Sequence, residues 1–252
     1  MRFRILVSAL LLSCIVSFHS YGGELADYVA KPDDSYGFEF VSTETMGTTE
    51  AHVFRLTSQT WQGLTWKHFM TIYEPAEIKH PEHAMLFITN GENSDEFANL
   101  QDSQARLLPM IATQTGTVIC MLEQIPNQPL FAGLREDGII ALTFEQYLNG
   151  EGDDWPLLLP MVKAAVRAMD TVATVSEQEL GTAIDKFFVL GGSKRGWTTW
   201  LSAVVDDRIF GIAPIVIDTL NMAEQGKHQL KSYGAYSEQT KDYTERDIRN
   251  PR

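Results

Sequence analysis

Two textures of hydrophobic patterning divide the chain. From Tyr36 to Glu74, short β-rich runs (Phe38 to Val41, Ala51 to Thr60, Leu64 to Tyr73) are separated by turn residues at Met46-Gly47 and Gln62-Gly63. That alternation predicts an antiparallel meander. After Pro75 the rhythm changes. Ala84 to Thr89 and Thr117 to Leu122 read as strands buried on both faces, with a helix over roughly Leu100 to Gln114 between them. Glu123 to Asp154, rich in Pro, Gly and acidic residues, is expected to be a long loop. Leu158, Met161, Val162, Ala165, Val166, Met169, Val172 and Ala173 then recur at spacings of three and four, giving a helix with one apolar face. Proline is tolerated only in a first turn, so Pro160 places the helix start near Leu158. Lys186 to Leu190 predicts a third buried strand, Lys194 to Val205 a helix, and Ile212 to Ile217 a fourth strand. Strand and helix in this alternation imply crossovers, a parallel sheet and helices on both of its faces.

The amino terminus stands outside that pattern. Arg2 and Arg4 precede an apolar run from Ile5 to Phe18, and Ser20-Tyr21-Gly22 supplies small residues before a polar stretch. This has the form of a secretory leader cleaved near Gly22, leaving residues 23–252 as one domain. The apolar run is shorter than the roughly 20 residues of a bilayer span, so no integral membrane anchor is expected. Leu11-Leu12-Ser13-Cys14 has some features of a lipoprotein signal, and lipidation at Cys14 is the lesser alternative to simple export. Cys120 is then the only thiol left, which excludes an internal disulfide. Its apolar surroundings predict a buried, inert side chain.

Composition adds exclusions. The chain of 252 residues carries 33 acidic residues against 20 Lys and Arg, a formal net charge of -13. Such a field repels phosphate backbones and anionic lipid, so nucleic acid is not an expected partner. Glu151-Gly152-Asp153-Asp154 lacks the regular ligand spacing of a calcium loop and reads as a solvated acidic turn. No metal or organic cofactor is implied. Trp61, Trp66, Trp155, Trp197 and Trp200 could line a carbohydrate cleft or simply pack in the core.

One segment carries chemistry. Phe187-Phe188-Val189-Leu190-Gly191-Gly192-Ser193-Lys194-Arg195-Gly196-Trp197 joins a buried strand, a glycine-flanked serine and a helix start. A nucleophile elbow has this arrangement: the serine occupies a sharp, strained turn, and the residues packed against it must lack side chains. Gly196 stands three residues after Ser193, where the usual G-x-S-x-G pattern places glycine two after. Two other readings compete: a helix N-cap on a tight turn, and a phosphate-binding turn, against which Gly191 to Gly196 lacks both the Walker spacing and the G-x-G-x-x-G fingerprint. In the elbow reading, the Lys194 N–H is one oxyanion donor. The second comes from the loop Thr89-Asn90-Gly91-Glu92-Asn93, where Gly91 permits close backbone approach. An ordinary Asn-Gly turn is the alternative there.

Several strings resemble one known family: Tyr28 to Asp33, Leu56 to Gly63, Asp154 to Met161, Gly191 to Trp197, and Ile212 to Met222. Together they are similar to the PhoPQ-activated pathogenicity-related (PqaA-type) proteins, over nearly all of residues 23–252. The resemblance implies an α/β-hydrolase fold with Ser193 at the nucleophile position. The elbow is also similar to that of glucuronoyl esterases, which implies that the Lys194 side chain assists at the oxyanion hole. A solvated lysine in a first helical turn is the other reading.

A serine nucleophile needs an acid and a base, in the chain order Ser, acid, His. Asp218 and His228 satisfy that order, but ten residues is too short a span to carry a histidine to the sheet edge. His228, in the polar run Gln225 to Gln229, is expected at the surface, and His52, His68, His80 and His83 fall upstream of the usual base position. The expectation is therefore the amino-terminal portion of a longer exported serine hydrolase, acting on a small-molecule, peptide or envelope substrate. Its rival is a non-catalytic secreted binding protein on the same scaffold.

Overall fold

A computed structural model describes residues 23–97, 100, 103–218 and 221–246. The leader expected over residues 1–22, Cys14 included, lies outside the described residues. Among those described, no helix is long and apolar enough to cross a membrane.

Helix α1 (Gly23–Ala30) leads into β1 (Gly37–Met46), β2 (Thr49–Trp61) and β3 (Leu64–Pro75), each antiparallel to the next. The expected meander is present. Gln62 and Gly63 both take positive φ (48° and 72°), the double left-handed turn whose twist matches a hairpin. Then follow β4 (His83–Ile88), α2 (Ser103–Thr115), β5 (Val118–Leu122), α3 (Glu136–Leu148), α4 (Leu158–Gln178), β6 (Lys186–Gly192), α5 (Lys194–Val205) and β7 (Ile209–Ile215). Helices α6 (Met222–Tyr233) and α7 (Lys241–Glu245) complete the described chain. The strands form one sheet in the order β1-β2-β3-β5-β4-β6-β7, with β5, β4, β6 and β7 mutually parallel.

The apolar runs behave as read. Every residue of β5 is buried, including Cys120, whose thiol is pushed up by burial. One face of the sheet packs on α2 through Leu108 and Ala112. The opposite face packs on α4, whose start at Leu158 keeps Pro160 in the first turn, and on Trp197 and Leu201 of α5.

Two expectations need correction. The segment 123–154 is not one long loop, because α3 lies within it. Gly138, Ile139, Ile140, Ala141 and Thr143 are all buried. A helix buried on successive residues shows no 3.6-residue alternation to read. The last strand runs from Ile209 to Ile215 and not to Ile217, because Val216 turns to φ 50° and cannot extend the ladder.

A β-bulge between Thr57 and Gln59 lets Ser58 and Gln59 both face the interior. There the His68 Nδ1–H donates to the Glu123 carbonyl (3.2 Å), leaving Nε2 to accept from the Ser58 hydroxyl (2.9 Å). Burial pushes this imidazole down from 6.5 to about 4. The neutral form is therefore the folded form, and its stability contribution is complete above pH 6.5 and lost as pH falls toward 4. The expected loss is about 3 kcal/mol. Urea unfolding at pH 7 and pH 4.5 checks it: the wild type should lose more stability on acidification than His68→Gln, and equal losses would contradict the assignment.

Candidate active site

Topology places the site before any side chain is considered. The crossover leaving β4 passes through α2 on one face, whereas the crossover leaving β6 passes through α5 on the other. The carboxyl ends of β4 and β6 therefore diverge into a crevice, the position where parallel sheets bind ligands. Ile88 and Gly191 are paired across these strands, so the loop beginning at Thr89 and the turn at Ser193 leave the sheet side by side.

Ser193 has φ 55° and ψ -122°, the conformation of the first central residue of a type II′ turn, which favours glycine. Its N–H donates to the Ile215 carbonyl (2.8 Å), and its own carbonyl accepts from the Trp197 N–H (3.0 Å), starting α5. The hydroxyl makes no capping hydrogen bond, and the backbone is outside the extended region that N-caps use. Strain is thus held at a serine whose side chain does nothing for the helix.

The flanking glycines divide. A Cβ on Gly191 would stand 2.7 Å from the Arg195 carbonyl oxygen; one on Gly196 would stand 2.9 Å from the Gly191 oxygen and 2.5 Å from Ile217 Cγ2. These two residues close on each other, which explains why glycine at the third position after the serine serves here. A Cβ on Gly192 would meet only open space.

Lys194 opens α5, so its N–H has no partner within the helix. Its side chain turns to the start of α3, with Nζ 2.8 Å from Asp137 Oδ2 and 3.3 Å from Glu136 Oε2. It is therefore not the solvated lysine of a first turn: two carboxylates hold it. Arg195 reaches the same Glu136 oxygen at 2.6 Å. Asp137 also accepts from the Tyr243 hydroxyl of α7 (2.7 Å). Glu136, Asp137 and Arg195 escaped the sequence reading, and the available signal was the acidic pair after Arg135, the usual charge of a helix's first turn.

Gly91 has φ 150°, and a Cβ there would lie 3.0 Å from Gln124 Cγ and 3.1 Å from its backbone nitrogen. Asn90 is not left-handed, so Asn90-Gly91 does not form a type I′ turn. The Gln124 N–H donates to the Asn90 carbonyl (3.1 Å), which presses the two loops together.

The remaining candidates stand apart. Asp218 is exposed beyond β7, and His228 is exposed on α6, where Nε2 lies 3.5 Å from the Ser232 hydroxyl. Among the described residues, no hydrogen bond or ion pair joins Asp218, His228 and Ser193. His52, tied to Thr43 and Glu74, sits on β2, four strands from β6. At the usual strand spacing that is roughly 19 Å. His83 starts β4, at the end of the strand opposite the crevice, and His80 precedes it. Among the described residues, no three His, Cys, Asp or Glu gather to hold a metal.

Trp61 and Trp66 are 2% and 0% exposed and pack edge-to-face with each other, with Phe131 and Trp155 extending the cluster. They are core, not cleft. Three of the family-like strings, Tyr28 to Asp33, Leu56 to Gly63 and Asp154 to Met161, converge on this region. The Tyr28 hydroxyl donates to Gln59 Oε1 (2.8 Å), Gln59 Nε2 to the Pro160 carbonyl (2.8 Å), Trp61 Nε1 to the Asp154 carbonyl (2.7 Å), and the Thr60 N–H to Asp33 Oδ2 (2.9 Å). They knot α1, the β2–β3 hairpin and the entry to α4 together.

Comparison with known proteins agrees with this architecture. Acetyl xylan esterase 1 from Thermoanaerobacterium sp. superposes with a TM-score of 0.51 at 14% identity, over 90% of this chain and 71% of that one. A glucuronoyl esterase from Solibacter usitatus gives 0.50 at 14% identity, over 88% and 65%. The scaffold is that of the α/β-hydrolases. Autocrine proliferation repressor protein A of Dictyostelium discoideum is 36% identical over 254 residues, which is 95% of this chain and 49% of that protein. The chain thus spans about half the length of that relative. Residues 25–251 match the family profile itself, and the chain belongs to the PhoPQ-activated pathogenicity-related protein family.

Proposed function

We propose that the protein is an exported serine hydrolase that cleaves esters or amides through an acyl-enzyme on Ser193. The observation that carries this reading is the strained Ser193 backbone, clamped between Gly191 and Gly196, with a hydroxyl that caps nothing. Strain of this kind persists where the surrounding structure enforces it, and active sites are where it clusters. Ser193 Oγ attacks the carbonyl carbon, and the C–O or C–N bond to the leaving group breaks as the tetrahedral intermediate collapses. The Lys194 N–H and the backbone of the Gly91 loop receive the oxyanion, and the Lys194 side chain, held by Asp137 and Glu136, braces the helix start that presents this N–H. The hydroxyl proton requires a base. None of the described histidines is placed to take it, and Asp218 with His228 remain the candidates by chain order alone.

The esterase identities of the two structural neighbours support the reaction class, and the basic, apolar start of the chain supports export by way of residues 1–22. Hydrolysis of p-nitrophenyl acetate by the full-length protein tests the reading. Turnover is expected in the wild type and absent in Ser193→Ala, and equal rates in the two would overturn it. A second reading, a secreted binding protein on a hydrolase scaffold, is favoured by the name of the Dictyostelium relative, an autocrine repressor. On that reading Ser193→Ala changes no activity of the protein.

A further inference from the structure

We propose that Gln124, Gln128 and Glu136 act as a positioning strut that fixes the Gly91 loop at a set distance from the Ser193 elbow. The inference rests on the acyl-transfer reading above and assigns it three residues that do not touch the reacting atoms. The two halves of an oxyanion hole come from different strands, and something must hold them in register. Gln124, 4% exposed, grips the first half. Its Nε2 donates to the Glu92 carbonyl (2.8 Å), its Oε1 accepts from the Phe69 N–H (2.8 Å), and its backbone presses on Gly91. Gln128, 5% exposed, continues the link. Its carbonyl accepts from the Asn93 N–H, while its side chain both donates to Glu136 Oε1 and accepts from the Glu136 N–H, each at 2.9 Å.

Glu136 closes the path. Its second oxygen takes Arg195 at 2.6 Å and Lys194 at 3.3 Å, the two residues that follow the serine. Burial alone would raise the Glu136 carboxyl, but these two cations and the Gln128 amide hold it below the usual carboxylate range. Both ends of the strut are left-handed non-glycine residues, Gln124 at φ 62° and Glu136 at φ 49°. Phe131 and Ala132 between them are left-handed as well (φ 44° and 64°), so strain runs through the whole segment that carries the two buried amides. The Arg135–Glu92 ion pair ties the same two segments together at the surface.

The test uses the full-length protein, p-nitrophenyl acetate and a fluorophosphonate probe, with Gln128→Leu and Glu136→Gln. Loss of register should lower kcat by roughly 10- to 100-fold with KM within about threefold. Fluorophosphonate labelling should slow in parallel, because phosphonylation uses the same anion site. Glu136→Gln keeps a hydrogen-bonding side chain opposite Gln128 and is expected to lose less, and it decides the matter if Gln128→Leu does not fold. Glu224→Gln, in the exposed Lys227 pair on α6, is the control and should leave both rates unchanged. A lowered Tm with wild-type kcat and labelling rate per folded site in both variants would reduce the strut to loop packing and overturn the proposal. Absence of Ser193-dependent turnover or labelling in the wild type overturns the acyl-transfer reading itself, and the strut with it; that outcome is read from wild type against Ser193→Ala alone.

Discussion

Gly196→Ala is expected to lower the unfolding free energy by about 3 kcal/mol and to remove any chemistry at Ser193. The added methyl would lie 2.5 Å from Ile217 Cγ2, 2.9 Å from the Gly191 oxygen and 3.2 Å from the Ile215 nitrogen. A side chain can rotate aside, but the two backbone atoms cannot move without opening the junction between β6, α5 and β7. Gly191→Ala should behave alike, since its three near contacts, at 2.7 to 2.8 Å, all belong to Arg195 and two of them are backbone. Gly192→Ala is the contrast. Its methyl meets nothing within 4 Å and its φ is not left-handed, so stability should hold or rise by up to about 1 kcal/mol. Urea unfolding of the three variants separates them, and equal behaviour would show that the elbow is not close-packed as described.

Ser193→Gly is expected to stabilise the fold by about 1 kcal/mol while abolishing turnover. Glycine reaches φ 55° and ψ -122° without the steric cost that serine bears there, and no capping hydrogen bond is lost with the hydroxyl. Ser193→Ala should leave stability almost unchanged, because alanine bears the same backbone strain. The pair therefore separates strain from chemistry. Both variants lose activity, but only glycine raises the unfolding free energy. A serine kept for helix capping would show the reverse, with both substitutions destabilising.

Much of this arrangement was legible in the residues. Short β-rich runs between turn residues located the meander, and continuous apolar runs located the four parallel strands because helices pack on both faces of the sheet. The spacing of three and four, with Pro160, located the start of α4. The strand, turn and helix around Ser193 were legible because glycine is needed where backbones meet. What was hidden has physical causes. Helix α3 buries consecutive positions and so shows no periodicity, and with it Glu136 and Asp137 were lost as neighbours of Lys194. Gln124 and Gln128 are ordinary polar residues in a Pro-rich stretch, and only the paired loops reveal what their amides hold. The tryptophan pattern alone left cleft and core both open, and the structure decides for core at Trp61 and Trp66: the β2–β3 hairpin packs them on each other, with Trp61 against Phe131 and Trp155. Three of the strings that carry the family resemblance, Tyr28 to Asp33, Leu56 to Gly63 and Asp154 to Met161, form a structural knot among α1, β2, β3 and α4 and take no part in the chemistry.

The central claim is that Ser193 is acylated. Intact-mass and peptide analysis after rapid acid quenching of the full-length protein with p-nitrophenyl acetate tests it most directly. Trypsin releases Ser193 within Phe187–Lys194. An acetyl group on that peptide in the wild type, absent in Ser193→Ala, is the predicted result. Turnover of the ester with that peptide unmodified, or with the acetyl group on another residue, would contradict the account.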